Sequence, residues 1–502
     1  VRIEVDGWAW LPKDELTENQ LGNLRSALTI QPRQTSPHQK KKPDKLKIYT
    51  EDDDRIGIPR AFFQKNQKAE HEIVNRTTDG YPMRDAVLAS EFNGFTTGRD
   101  IYEEQNTAVS RLVEYFQAHA FTGGLLEAGT GVGKTVMGLR IAHALGRRTL
   151  VLVHKEFLQD QWMDRAEQFF PEMKIGIVRQ SKCDFEGKDF VIGMNQSLAR
   201  REYDAGFYRA FGLVISDENH RVSAKTWARI PPQFAARWRL GVSATLRRKD
   251  KTEAVFWNHF GDVQYRFQSK TVVPMVRRLT TRWRPRSVEK TGYTIAAKDL
   301  SISQAINQLA YDTMRNRGIA DVVVKAVMKG RKVLVASERL EQLWEIYEFL
   351  RHATPIQGTT LEFVTGQRYT LDGDGNRIKN DRGEWKARKT TREQLKQAES
   401  AQVLLATIQM INEGFDVQSI DAEVLASPVG DAEQIVGRCR RECDPEPGKC
   451  ERLCPWRAGE CQGKQTPIIV DVLDVESKQI MRRWDQRWGF YKSIGAKIGG
   501  QG

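Results

Sequence analysis

The sequence predicts an α/β protein of two tandem domains, each a parallel sheet with helices on both faces, preceded by a small accessory domain. Three observations predict it. From about residue 99 onward, short and wholly apolar runs alternate with longer stretches of helical character, the pattern of strands buried on both faces of a parallel sheet. The alternation breaks at a polar, basic stretch around residues 278–298 and then resumes. One early apolar run leads straight into a Gly-rich loop that ends in Lys-Thr and opens a helix, the order that brings backbone N–H groups to a phosphate.

Taken in order, residues 1–98 have no long clean period, and they carry the basic run 39–47 in a Pro- and Ser-containing stretch. This region reads as an accessory domain, suited to DNA binding, with the basic run in an exposed loop. Residues 99–278 form the first α/β domain, with strands predicted at 149–153, 190–192 and 213–216. Residues 279–300 read as a linker. Residues 301–502 form the second domain, with strands at 332–336, 403–406, 422–426 and 468–471. Two insertions interrupt it: a hairpin at about 367–390, with Asp-Gly and Gly-Asn turn signals, and a Cys-rich segment at about 439–463. Near the end, Trp484, Trp488 and Tyr491 fall on one helical face and are expected to pack on the second sheet.

Length and charge narrow the function classes. At 502 residues there is room for about three domains. Hydrophobic residues at 40% and charged residues at 28% are the usage of a chain that buries a core. No stretch reaches the roughly 20 consecutive apolar residues of a membrane span, and the first residues lack a basic start followed by an apolar run. A cytosolic protein with no membrane partner is expected. Lys+Arg 78 against Asp+Glu 65 leaves a net +13, which suits a polyanionic partner through phosphate neutralisation. A merely basic protein is the plain alternative.

The strongest chemical signal lies at residues 125–135. Gly131 and Gly133 let backbone N–H groups approach phosphate oxygens, Lys134 adds charge near the β and γ phosphates, and the Thr135 hydroxyl suits Mg²⁺. Ala128 stands where the general phosphate-loop pattern has its first Gly. Further on, an apolar run ends in Asp217-Glu218-Asn219-His220. Hydrolysis of a nucleotide needs one carboxylate to hold Mg²⁺ and a second group to orient the attacking water; Asp217 and Glu218 fit those roles. Alone, an Asp-Glu pair at a strand end is commonly a solvated turn, and the upstream loop reverses that reading.

Over residues 99 to 480 these motifs resemble superfamily 2 helicases and translocases of the DExH type. The resemblance implies two RecA-like domains with ATP in the cleft between them. Gln105, in a segment similar to the adenine-reading Q motif, becomes the candidate for base recognition. Residues 217–220 are similar to the DExH box, which adds His220 to the catalytic set, and 243–245 to the motif that couples hydrolysis to movement. Residues 406–416 resemble motif V and bring Asp416 to the nucleotide, while 434–441 resemble motif VI. Phosphoryl transfer needs positive charge against the developing γ-phosphate charge, and Arg438 and Arg441 are the candidate arginine fingers.

Two narrower likenesses follow. Residues 240–250 are similar to the stretch in XPB-type helicases where an Arg-Glu-Asp triplet follows the coupling motif; here Arg248-Lys249-Asp250 has a base at the centre. Residues 45–63 resemble the N-terminal region of UvsW-type phage branch-migration helicases, which implies a bacterial or phage-infected cell. By motif position, His154, Lys155, Gln196, Ser197, Thr365, Gly366 and Thr407 are expected to touch nucleic-acid phosphates without reading sequence. In the hairpin, Asp372, Asp374 and Asn376 imitate a calcium loop, but Arg377 and Gly383 stand where Gly and Glu are needed.

Five of the six cysteines fall between Cys439 and Cys461. Cys439 is expected to pack in the core. Cys443, Cys450, Cys454 and Cys461, in a loop-rich stretch with little core of its own, suit a structural Zn²⁺, with an iron–sulfur cluster or free thiols as alternatives. The reading is an ATP- and Mg²⁺-dependent DNA helicase or translocase acting on branched or duplex DNA, with single-strand segments in its channel, in recombination, repair or replication. An RNA helicase, the motor of a restriction-type nuclease system and a nucleotide-gated DNA-binding scaffold without turnover are the rivals.

Overall fold

The structure, a computed structural model, describes residues 1–33, 43–67, 71–94, 96–97, 100–129, 132–217, 228–244, 246, 251–267, 273–290, 293–412, 420–439 and 466–501. They form two compact units, Val1–Ser269 and Lys270–Gly502.

The first unit is built on an eight-stranded sheet in the order Lys182–Cys183, Ile175–Arg179, Phe190–Met194, Thr149–Val153, Leu213–Asp217, Trp238–Ser243, Thr122–Glu127 and Val263–Arg266. Every pairing is parallel except that of the short edge strand Lys182–Cys183. The continuous apolar runs follow from this: in Thr149–Val153 and Leu213–Asp217 every residue is buried, because helices cover both faces.

Residues 1–75 add a separate five-stranded mixed sheet, ordered Thr50–Glu51, Arg55–Ile58, Ala9–Pro12, Arg2–Val5 and Glu72–Asn75. It has no closed core of its own. Ile3, Val5, Ile56, Ile58 and Phe63 bury their side chains together with Phe121, Leu125, Val255, Phe256 and Phe260 of the larger sheet and its helix. Two buried arginines cross the same seam. Arg239 donates to the carbonyls of Gly7, Pro231 and Phe234 at 2.8, 2.8 and 3.1 Å. Arg60 donates to those of Ala236 at 2.8 Å and Asp6 at 3.2 Å. Burial pushes the Arg60 guanidinium down to about 9 and that of Arg239 well below its ordinary value, because each cation loses its water and Arg60 also repels the Arg239 charge.

The second unit is built on a seven-stranded sheet in the order Leu361–Val364, Val403–Thr407, Val333–Ser337, Ala422–Leu425, Ile468–Asp474, Met275–Thr281 and Lys497–Gln501, all parallel. Alternation across the pleat splits each strand between two cores: Leu334 and Ala336 face one, Val333 and Val335 the other. The final helix, Lys478–Ser493, lays Trp484 and Tyr491 into the first of these cores, as their spacing predicts. Its Arg487 binds Asp471 with both arms at 2.8 Å, and the Tyr491 hydroxyl donates to the same carboxylate at 2.8 Å. Burial opposes the Arg487 charge, yet the carboxylate outweighs it and raises the guanidinium further.

The insertion at 367–390 is a hairpin, with Gln367–Tyr369 antiparallel to Ala387–Lys389 and further bridges at Leu371–Arg377 and Lys379–Trp385. The Asp372 carboxylate accepts from the N–H groups of Asn376 at 2.8 Å and Asp374 at 3.0 Å; the residues that imitate a calcium loop build a turn instead. Arg377 lies over the rings of Trp344, Tyr369 and Trp385.

Candidate nucleotide and nucleic-acid sites

Because the central strands of each sheet run parallel, their carboxyl ends share one edge, the edge at which open α/β sheets hold ligands. In the first unit Ala128, His154, Asn195, Asp217 and Ser243 stand at or one residue past the ends of five parallel strands. In the second, Thr365, Gly366 and Thr407 stand at the ends of two neighbouring strands. His154 and Asp217 of the first unit thus share one sheet edge, and Thr365, Gly366 and Thr407 of the second share another.

The phosphate loop is held at both ends. The Ala128 N–H donates to the Ser243 carbonyl at 2.9 Å, which ties the loop to the strand that carries the coupling motif. At the other end Gly133 has φ 84°, a left-handed conformation open to glycine at no steric cost, and the helix Lys134–Leu145 starts directly after it. Gln105 packs on this turn: its side-chain amide donates to the Val132 carbonyl at 3.0 Å. A Cβ at Gly133 would lie 2.5 Å from the Gln105 Nε2 and displace that amide, while the backbone conformation itself demands glycine. Lys134 and Thr135 occupy the first turn of the helix, where N–H groups and the macrodipole favour an anion.

Asp217 ends the strand Leu213–Asp217 and is only 4% exposed. Its Oδ2 accepts from the indole N–H of Trp162 at 2.8 Å. Trp162, in the helix Glu156–Phe169, is fully buried. Sequence reasoning passed over it, since one tryptophan on a buried helical face carries no signal that its N–H reaches a carboxylate 55 residues away. These features fit the phosphates of ATP and a Mg²⁺ ion: a glycine turn that admits a ligand close to the backbone, a lysine and a hydroxyl in the first helical turn, and a buried carboxylate at the same sheet edge. Lys134, Thr135 and Asp217 are the described residues that would hold them.

Among the nucleic-acid candidates, Gln196 is exposed, whereas the Ser197 hydroxyl accepts from the Gln180 N–H at 2.8 Å. Gln180 has φ 52°, a strained region for a residue with a side chain, so Ser197 secures a bend in the neighbouring loop. Asn195 is 1% exposed, and neither side-chain polar atom has a hydrogen-bond partner. Thr365 donates its hydroxyl to the Gln367 carbonyl at 2.6 Å at the root of the hairpin, and Gly366 is exposed.

Arg438 lies in the helix Glu433–Cys439, and Cys439 is fully buried in the second unit's core, as expected. Gly131, Glu218, His220, Asp416, Arg441, Cys443, Cys450, Cys454 and Cys461 lie outside the described residues. Among the described residues no group of three or more His, Cys, Asp or Glu is placed to hold a metal ion, and no helix is long and apolar enough to cross a membrane.

Residues 99–248 match the family described as Type III restriction enzyme, res subunit. Over 98% of its length the chain is 23% identical to 85% of a protein of Acanthamoeba polyphaga mimivirus described as a candidate ATP-dependent RNA helicase. Over 73% of its length it is 25% identical to 71% of the probable helicase D10 of Escherichia phage T5. Among solved structures, T4 UvsW is 14% identical at a TM-score of 0.39, covering 100% of this chain and 99% of that one.

Proposed function

We propose that this superfamily 2 helicase-type chain is an ATP-driven motor that moves on DNA, with branched or duplex DNA as substrate in recombination, repair or replication, in the cytoplasm of an infected or bacterial cell. The observation that carries the motor reading is the arrangement at one sheet edge of the first unit: the glycine turn with Lys134 and Thr135 in the first helical turn, and the buried Asp217 two strands away. In this reading Lys134 faces the β and γ phosphates, and Thr135 with Asp217 holds Mg²⁺, which draws charge from the phosphate oxygens. Glu218, with His220, orients the attacking water, and Arg438 and Arg441 meet the charge that develops on the γ-phosphate. Gln105 and Asp416 complete the nucleotide contacts.

DNA is favoured by the likeness of residues 45–63 to branch-migration helicases. The mimivirus relative, described as acting on RNA, supports RNA as the second reading. The discriminating experiment is the ATPase rate without nucleic acid and with single-stranded DNA, duplex DNA, a four-way DNA junction and matched RNA, at two salt concentrations. Strongest stimulation by junction or duplex DNA, weakened by salt, is the expected result; stimulation by RNA alone would move the substrate to RNA. No hydrolysis under any condition would leave a nucleotide-gated scaffold. Glu218→Gln should bind ATP with wild-type affinity and turn it over about 10²-fold more slowly or worse; normal turnover in that variant would remove Glu218 from the site.

For the cysteine segment we propose one structural Zn²⁺ held by Cys443, Cys450, Cys454 and Cys461. Elemental analysis of purified full-length protein should return close to one zinc per chain. Iron with visible absorbance would replace the assignment, and the absence of both would leave free thiols.

A further inference from the structure

Trp162 donates to Asp217, the carboxylate that ends the strand Leu213–Asp217. The indole N–H lies 2.8 Å from Oδ2. The donor residue is fully buried and the acceptor 4% exposed, so the bond is shielded from water, the setting in which a hydrogen bond is strongest. The indole is also held in place from its other sides. It stacks on Phe190 at 5.8 Å between centroids and 27° between planes. Its far edge fits against Gly138 in the helix opened by Lys134, where a Cβ would come within 2.7 Å of Cη2. One rigid ring therefore spans from the phosphate-binding helix to the carboxylate.

We infer that Trp162 is a positioning residue for the metal ion of the nucleotide site, fixing the rotation of the Asp217 carboxylate through its indole N–H and referring it to the helix that begins at Lys134. This rests on the reading of Asp217 as a Mg²⁺ ligand and deepens it. A carboxylate free to rotate presents its lone pairs over a wide arc; one clamped at Oδ2 presents them in one direction. Groups that orient a metal ligand in this manner typically change metal affinity by about 10- to 100-fold when removed. Indole has only a donor to offer, so it suits a group that must stay an acceptor. The plainer reading is that a core tryptophan has merely found a partner for its N–H, and the two readings separate experimentally.

The test uses the full chain and the anisotropy of a fluorescent N-methylanthraniloyl-ADP, titrated with and without Mg²⁺. Two variants remove the donor: Trp162→Phe, and benzothienylalanine placed at 162 by codon suppression, which keeps the bicyclic shape and lacks only the N–H. In both, binding without Mg²⁺ should match the wild type, while the gain in affinity on adding Mg²⁺ should fall about 10-fold. An undiminished gain in the benzothienylalanine protein would overturn the inference, as would equal losses with and without the metal, which mark a structural role. A wild-type protein that binds the nucleotide with no Mg²⁺-dependent gain would overturn the reading of Asp217 itself, and is thereby distinguishable from the failure of Trp162 alone.

Discussion

Lys134→Ala is expected to reduce ATP turnover by about 10³-fold and to leave the fold intact. The expectation comes from where the lysine sits. It opens the helix Lys134–Leu145, whose first turn contains no acidic residue, so its positive charge lies at the positive end of the helix dipole. A bound anion favours that placement, and removing the charge deletes the group proposed to offset the β and γ phosphate charge. Thermal denaturation without nucleotide and steady-state hydrolysis with it check both halves. Turnover within tenfold of wild type would end the assignment of this loop to catalysis. A large drop in melting temperature would show instead that the lysine is part of the fold.

The second large effect belongs to the other unit. Asp471→Ala should destabilise that unit by about 3 to 5 kcal/mol, since it strands a buried guanidinium. Asp471 and Arg487 are 0% and 1% exposed, and the same carboxylate receives the Tyr491 hydroxyl. The Asp471 carboxylate thus ties two residues of the final helix, Arg487 and Tyr491, to the strand Ile468–Asp474, beside the Arg483–Glu338 ion pair at 3.0 Å. Urea denaturation followed by tryptophan fluorescence reads the loss, and Arg487→Met in the same background should restore part of it by removing the uncompensated charge. A loss under about 1 kcal/mol for Asp471→Ala would mean that water reaches the guanidinium and that the helix is held by its other contacts.

How much of this was legible beforehand follows from the distance over which each feature is decided. The strands at 149–153, 190–192, 213–216, 332–336 and 403–406 could be read because each is largely a local run of apolar residues, and a parallel sheet buried on both faces requires such runs. The glycine turn before Lys134 was legible for a similar reason, since residue type and backbone conformation are decided within a few residues. Met275–Thr281 was harder: only Val276 is fully enclosed there, and the strand's polar composition hides its place in the second unit's sheet. The mixed sheet of residues 1–75 escaped because its strands are short and their hydrophobic partners lie far along the chain. Arg60 meets Ala236 across 176 positions and Arg239 meets Gly7 across 232. Trp162 and Asp217 illustrate the limit within the site itself. The sequence marks the carboxylate, but the ring that orients it is chosen by the packing of two helices against a sheet.

The seam joining the N-terminal sheet to the larger one also bears on how the protein is made. The strands Arg2–Val5 and Ala9–Pro12 leave the ribosome long before Phe256 and Phe260, the side chains that finish their core. At ordinary synthesis rates of roughly 5 to 20 residues per second, the apolar faces of those strands wait on the order of ten seconds or more for their cover. During that interval their edges are open to pairing with other chains. Yield on expression should therefore respond to chaperone supply more than the finished protein's stability would suggest.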